Sequence, residues 1–154
     1  DGAIKGTSLI VAAIERLKQR YDFEFVLVQN LPHAKAMAIY RSADIAIDQI
    51  YTGWYGGFAV ELMAMGIPVA AYIREEDKAY VPSEMWEKIP VLRIKAETLE
   101  SDLASILDNR ARWPEIGKRA RQFVLDWHDP LMIARGISRV YRDPKAPRIL
   151  GPQA

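Results

Sequence analysis

Asp48-Gln49-Ile50-Tyr51-Thr52-Gly53-Trp54-Tyr55-Gly56-Gly57-Phe58-Ala59-Val60-Glu61-Leu62-Met63-Ala64-Met65-Gly66-Ile67-Pro68-Val69 is the stretch whose reading decides the fold. It grows out of a short apolar run, Ile45 to Ile50, broken by Asp48, as at the end of a buried strand. Gly53, Gly56 and Gly57 then surround Trp54 and Tyr55. Phe58 to Met65 reads as a helix, so apolar that it must be buried, and Gly66 and Pro68 end it. Val69 to Ile73 is a second apolar strand. The order is strand, Gly-rich loop, helix, strand. In such a unit the loop sits at the carboxyl edge of the sheet, and the helix N-terminus points at whatever binds there. The first backbone N–H groups of a helix have no partner inside it, and its dipole favours an anion. Gly56 and Gly57 let a phosphate approach the backbone. Glu61 follows about one helical turn later, within reach of a polar group attached to that phosphate.

The rest of the chain extends this pattern. Lys5 stands just ahead of a first helix, for which Thr7 or Ser8 is the expected N-cap. Leu9, Ile10, Ala13, Ile14 and Leu17 recur in it at helical spacing. Phe25-Val26-Leu27-Val28 predicts a fully apolar strand of the kind parallel sheets bury. His33 to Ala43 predicts a second helix, with Ala34, Met37, Ala38 and Tyr40 inward. Asp44 to Asp48 is the strand that feeds the Gly-rich loop. After Val69 to Ile73 come a charged loop at Arg74 to Lys78 and an irregular stretch from Tyr80 to Pro90, with a short helix from Ser83 through Trp86. Val91 to Ile94 is the last strand. Three helices close the chain: Glu97 to Asn109, one led by Pro114 with Ile116, Ala120, Phe123, Val124 and Trp127 as its buried stripe, and Leu131 to Tyr141. His128-Asp129-Pro130 separates the last two, and His128 is expected to be structural, a cation suiting the helix end.

Alternating strands and helices predict an α/β fold, a Rossmann-like doubly wound parallel sheet with a helical C-terminal segment. Residues 1–142 form that domain, and 143–154, with three prolines and a glycine, form a flexible tail. The chain begins Asp1-Gly2 and goes straight into a helix. A piece of a longer protein, with its first strand missing, is the expectation.

Composition narrows the function. With 154 residues, 50% apolar and 27% charged, the chain can bury a real core and belongs with globular proteins. A net charge of +1 gives no nucleic-acid footprint. The absence of cysteine excludes disulfides and thiolate sites. No apolar run approaches the roughly 20 residues of a membrane span. The two histidines are far apart, no carboxylates have ligand spacing, and no metal site is expected. Neither a nucleophile elbow nor the Gly-x-Gly-x-x-Gly dinucleotide signature occurs.

Each candidate group has a plain alternative. Glu61 is a solvent-facing helix glutamate or a ligand group, and its apolar neighbours Val60, Leu62 and Met63 demand a reason for the charge. Gly56 and Gly57 make a tight turn or a phosphate seat. Lys5 is a surface lysine or an anion ligand. Trp54 and Tyr55 close over a base or a sugar, or plug the core. His33 caps its helix or stacks on a base.

Lys5-Gly6-Thr7, Ser42-Ala43-Asp44-Ile45 and Gly56-Gly57-Phe58-Ala59-Val60-Glu61-Leu62-Met63-Ala64-Met65-Gly66-Ile67-Pro68-Val69 resemble the C-terminal, donor-binding half of GT-B glycosyltransferases of the retaining group 1 family. The likeness runs from Lys5 to about Tyr141. It implies that Lys5 contacts the donor pyrophosphate. It also implies that the amides of Gly56, Gly57, Phe58 and Ala59 hold phosphate, and that Glu61 hydrogen-bonds the ribose as the second member of a glutamate pair. It implies no metal and no cofactor, the nucleotide sugar being a substrate.

Two departures stand out. Gly53 occupies the place of the first glutamate of the pair, which in the family faces the sugar; Asp48 or Gln49 at the strand end could approach the same space. The family's arginine, five residues before the lysine, falls upstream of Asp1. No catalytic residue is assigned.

The resemblance implies transfer of a sugar from a UDP- or GDP-sugar to an acceptor hydroxyl, often on a growing polysaccharide or lipid. The acceptor would be held by an N-terminal domain outside this chain, without which the chain is expected to be inactive. The expected location is the cytoplasm, or the periphery of the inner membrane face. A non-catalytic Rossmann-like binding or regulatory module that has lost the first glutamate is the alternative, and a sugar-nucleotide epimerase of the same architecture is a third.

Overall fold

A computed structural model of the chain describes residues 2–145. Strands β1 (Ala46–Ile47), β2 (Val69–Ala71) and β3 (Leu92–Arg93) lie side by side in that order. All are parallel, with Ala46 opposite Val69 and Ala70 opposite Leu92. The helices are α1 (Gly2–Lys5), α2 (Thr7–Leu17), α3 (His33–Tyr40), α4 (Gly57–Ala64), α5 (Ser83–Lys88), α6 (Leu99–Asp108), α7 (Trp113–Trp127) and α8 (Pro130–Arg142). Parallel strands need crossovers. The Gly-rich loop and α4 form the first, and a 3₁₀ turn at Glu75–Tyr80 with α5 forms the second.

The central strand explains the layers. Successive side chains of a strand face opposite ways. Val69, Ala71 and Ile73 join one core with Ala59, Leu62 and Met63 of α4, Trp86 of α5, and Ala120, Phe123 and Trp127 of α7. Ala70 joins the other with Ile10, Ala13, Ile14 and Leu17 of α2 and Leu99, Leu103 and Ala104 of α6. Helices therefore cover both faces of the sheet, as the sequence pattern predicts.

α4 is fixed from behind by α7. A Cβ at Gly117 would run into the carbonyl oxygen of Gly66, so the two segments meet at backbone distance and only glycine fits. Arg121 of α7 donates from Nη1 to the carbonyl of Ala64 at 3.0 Å, serving the C-terminal end of α4.

Three local expectations need correction. Phe25 to Val28 is not a strand: residues 22–31 form no backbone hydrogen bond among the described residues. Phe23 and Phe25 lean on the second core, while Val26 and Leu27 are 51% and 49% exposed. A strand needs a hydrogen-bonded neighbour, and this run has none. In α3 the buried residue is Ala36, whereas Ala34 and Ala38 are exposed, and the helix ends at Tyr40 rather than Ala43. Ser42 turns back there to the carbonyl of Ile39 at 2.8 Å. Neither Thr7 nor Ser8 caps α2; Gly6 does, with its carbonyl accepting from the amides of Leu9 and Ile10 at 3.1 Å each. Of the expected tail, residues 146–154 lie outside the described residues, and Asp143 to Lys145 are exposed.

Candidate functional site

Gly6 places Lys5. Its φ of 74° is in the left-handed region, and a Cβ there would collide with the Ile50 side chain. The amide of Ile50 donates to the carbonyl of Lys5 at 3.1 Å. Lys5 is thereby held at the carboxyl end of β1. Its Nζ lies 2.8 Å from Asp48 Oδ1, with side-chain exposures of 43% for Lys5 and 1% for Asp48. Asp48 Oδ2 accepts from the amide of Gly56 at 3.1 Å. One buried carboxylate thus ties the end of α1, the end of β1 and the entry to α4 together. The Lys5 ammonium also sits 5.1 Å from the centre of the Phe58 ring, in cation–π range. Phe58 is braced edge-on by Tyr40 at 5.2 Å.

α4 starts without a side-chain cap; Gly56 precedes it in extended backbone. Among the described residues, the amides of Gly57, Phe58 and Ala59 find no partner in the chain. Nothing stands within 4 Å of where a Cβ on Gly57 would lie. These are the orphan donors that an anion can satisfy. In the second turn of α4, Glu61 Oε1 meets His33 Nε2 at 3.2 Å. Lys5, Gly56, Gly57, Phe58, Glu61 and His33 therefore gather around the amino end of α4. Ala59 contributes its amide only, since its side chain is fully buried.

The other singled-out residues face inward. Gln49 is buried and pins the loop from within. Its Nε2 donates to the carbonyls of Trp54 at 2.8 Å and Tyr72 at 3.0 Å, and its Oε1 accepts from the amide of Thr52 at 2.7 Å. Gly53 is buried with φ 83°, and a Cβ there would press on Arg74. A glutamate there would be strained by the left-handed backbone and would have to displace the Arg74 side chain. Trp54 and Tyr55 stack at 5.0 Å, Trp54 reaches Trp86 at 6.3 Å, and Tyr55 meets Phe123 edge-on at 6.1 Å. Both rings pack into the first core.

Tyr55 extends that contact to His128, its hydroxyl 3.0 Å from Nε2. Burial pushes the Tyr55 hydroxyl up and the His128 imidazole down. Neutral His128 can accept a hydrogen bond from the Tyr55 hydroxyl. A cationic histidine at this helix end, expected from the dipole alone, gives way to desolvation. The end of α7 continues into Asp129, which caps α8 by accepting from the amide of Met132 at 2.7 Å.

Among the described residues, no three His, Asp or Glu side chains converge as a metal would require. None of the described helices is long and apolar enough to cross a membrane. Two surface cavities, of about 310 Å³ beside Arg20 and Glu97 and about 440 Å³ beside Arg112 and Arg119, lie away from the α4 terminus. At the amino end of α4, Gly56 and Gly57 are exposed and Phe58 is half-buried. Comparison of the sequence with protein-family models and with curated proteins finds no match to either.

Proposed function

We propose that the chain binds the diphosphate of a UDP- or GDP-sugar at the amino end of α4, as the Rossmann-like donor-binding part of a GT-B glycosyltransferase. One observation carries the reading: the Lys5 ammonium, tied through Asp48 to the Gly56 amide and 5.1 Å from the Phe58 ring, stands next to the unpartnered amides of Gly57, Phe58 and Ala59, with Glu61 one turn beyond. The diphosphate takes the amides and Lys5, and Glu61 accepts from the ribose hydroxyls. Developing negative charge on a departing diphosphate is stabilised best by donors already in place. Lys5 and the α4 dipole supply that without a metal. Domain closure against an acceptor-binding partner would exclude water, and the isolated chain binds nucleotide weakly and transfers nothing. The cytoplasm, or the inner membrane periphery, is where such a donor is met. Titration calorimetry of UDP, GDP and ADP against the chain tests the reading, which fails if no nucleoside diphosphate binds, and turnover by the isolated chain would refute its inactivity.

A non-catalytic binding module is the second reading, and Gly53 favours it. The position where the resembled family has its sugar-facing glutamate has left-handed backbone crowded by Arg74, which disfavours a side chain, and Asp48 and Gln49 are committed inward. No carboxylate of the loop is left to face a sugar. Assay of the longer protein with an acceptor separates the two readings.

A further inference from the structure

We propose that Asp48 is a positioning residue of the anion site, acting through Lys5 and Gly56 without touching the ligand. The inference rests on the nucleotide-binding reading above. A carboxylate beside a phosphate site repels the ligand it helps to hold. Its presence there is accounted for if the geometry it imposes outweighs that repulsion.

The geometry is specific. Each carboxylate oxygen serves one component of the anion site: Oδ1 takes Lys5 Nζ at 2.8 Å, and Oδ2 takes the Gly56 amide at 3.1 Å. An ammonium has three donors. Asp48 takes one, and the Lys5 side chain is 43% exposed, which leaves donors for an anion. The Gly56 bond sets the peptide that leads into α4, so the free amides of Gly57, Phe58 and Ala59 keep one orientation. Gln49, the next residue, fixes the remainder of the loop through Thr52, Trp54 and Tyr72. The Asp48 side chain is 1% exposed and so presents almost no surface to a ligand. Two consecutive buried polar residues thus convert a Gly-rich loop, which is intrinsically mobile, into a preorganised seat.

A double-mutant cycle tests this with UDP and GDP as probes, using Asp48→Asn, Lys5→Met and the double variant of the full chain. Calorimetry reads binding, and thermal unfolding verifies that each variant folds. Asp48→Asn alone is expected to weaken binding about tenfold or more, the scale of one charge-assisted hydrogen bond. In the Lys5→Met background the same change should cost less than about twofold, because the Lys5 arm is gone and the asparagine oxygen can still accept from the Gly56 amide. Asp48→Glu keeps the charge but displaces Lys5, and is expected to weaken binding as well. Unchanged or tighter binding by Asp48→Asn overturns the proposal, since Asp48 would then only oppose the anion. An equal loss in both backgrounds also overturns it. If Asp48→Asn fails to fold, Asp48→Glu decides alone: wild-type affinity refutes positioning. If the wild-type chain binds neither nucleotide, the nucleotide reading fails and this proposal with it. If the wild type binds and only the variant results disagree, this proposal alone fails.

Discussion

His33 Nε2 lies 3.2 Å from Glu61 Oε1, joining the first residue of α3 to the second turn of α4 across 28 residues of sequence. The side chains are 71% and 43% exposed, so the pair is set in solvent. Even a fully charged exposed pair contributes only about 0–1 kcal/mol. The contact is cheap to exchange for a ligand hydroxyl. His33→Ala is therefore expected to change the unfolding free energy by less than about 1 kcal/mol in urea titration. A larger loss would mean that the pair is a structural tie.

Lys5 differs from His33 because its partner is buried. Lys5→Met leaves Asp48 with only the Gly56 amide. Breaking a fully buried pair costs about 3–5 kcal/mol, and the exposure of Lys5 scales this down to roughly 1–3 kcal/mol. Denaturant midpoints of the variant and the wild type measure it. An unchanged midpoint would show that Asp48 does not depend on Lys5.

Gly57 and Gly117 separate binding from stability. At Gly117 an added methyl meets the Gly66 carbonyl, and Gly117→Ala should destabilise by roughly 1–3 kcal/mol as α7 is pushed off α4. At Gly57 the space is open, and Gly57→Ala should leave stability level or raise it by up to about 1 kcal/mol. The same methyl narrows the approach to the α4 amides, so nucleotide binding by Gly57→Ala should weaken while its unfolding does not. Thermal unfolding and calorimetry on both variants check the contrast; a stable Gly117→Ala would refute the close packing.

His128 gives stability a pH dependence. Burial lowers its pKa in the folded chain below the ordinary value of 6.5. The unfolded chain then binds more protons between the two values, so stability rises with pH in that window. The contribution is complete above about pH 6.5 and is lost as pH falls through the folded pKa. Protonation also removes the acceptor that faces the Tyr55 hydroxyl. Melting temperature should fall faster from pH 7 to pH 5 in the wild type than in His128→Gln. Parallel curves would rule out this histidine as the cause.

Much of the architecture is legible in the sequence because glycine and proline punctuate it. Gly53 to Gly57 and Gly66-Ile67-Pro68 bound α4 and place β2 within a residue or two. Pro114 and Asp129-Pro130 mark the starts of α7 and α8. Legibility fails where composition is uniform or partners are remote. Ala34, Ala36 and Ala38 look alike, so α3 has no readable inward face. Phe25 to Val28 is apolar enough for a strand, but pairing is a property of neighbours and not of the run. Lys5, Gly56 and Glu61 stand out by their setting, and the amino end of α4 gathers them. The grip of Asp48 on Lys5 spans 43 residues, and the inward turn of Asp48 and Gln49 at the end of β1 depends on the whole loop. His128 reads as a helix-end cation until the burial supplied by Tyr55 and Phe123 is known.

In the proposed complex the amino end of α4 holds a nucleoside diphosphate, with Glu61 on its ribose. Titration calorimetry of UDP, GDP and ADP against the wild-type chain and Glu61→Ala tests it most directly. The account predicts that UDP or GDP binds and that Glu61→Ala loses about 1–3 kcal/mol of affinity, the worth of a hydrogen bond to a charged group, with its unfolding unchanged. Equal binding by the wild type and Glu61→Ala, or no binding of any of the three nucleotides, would contradict it.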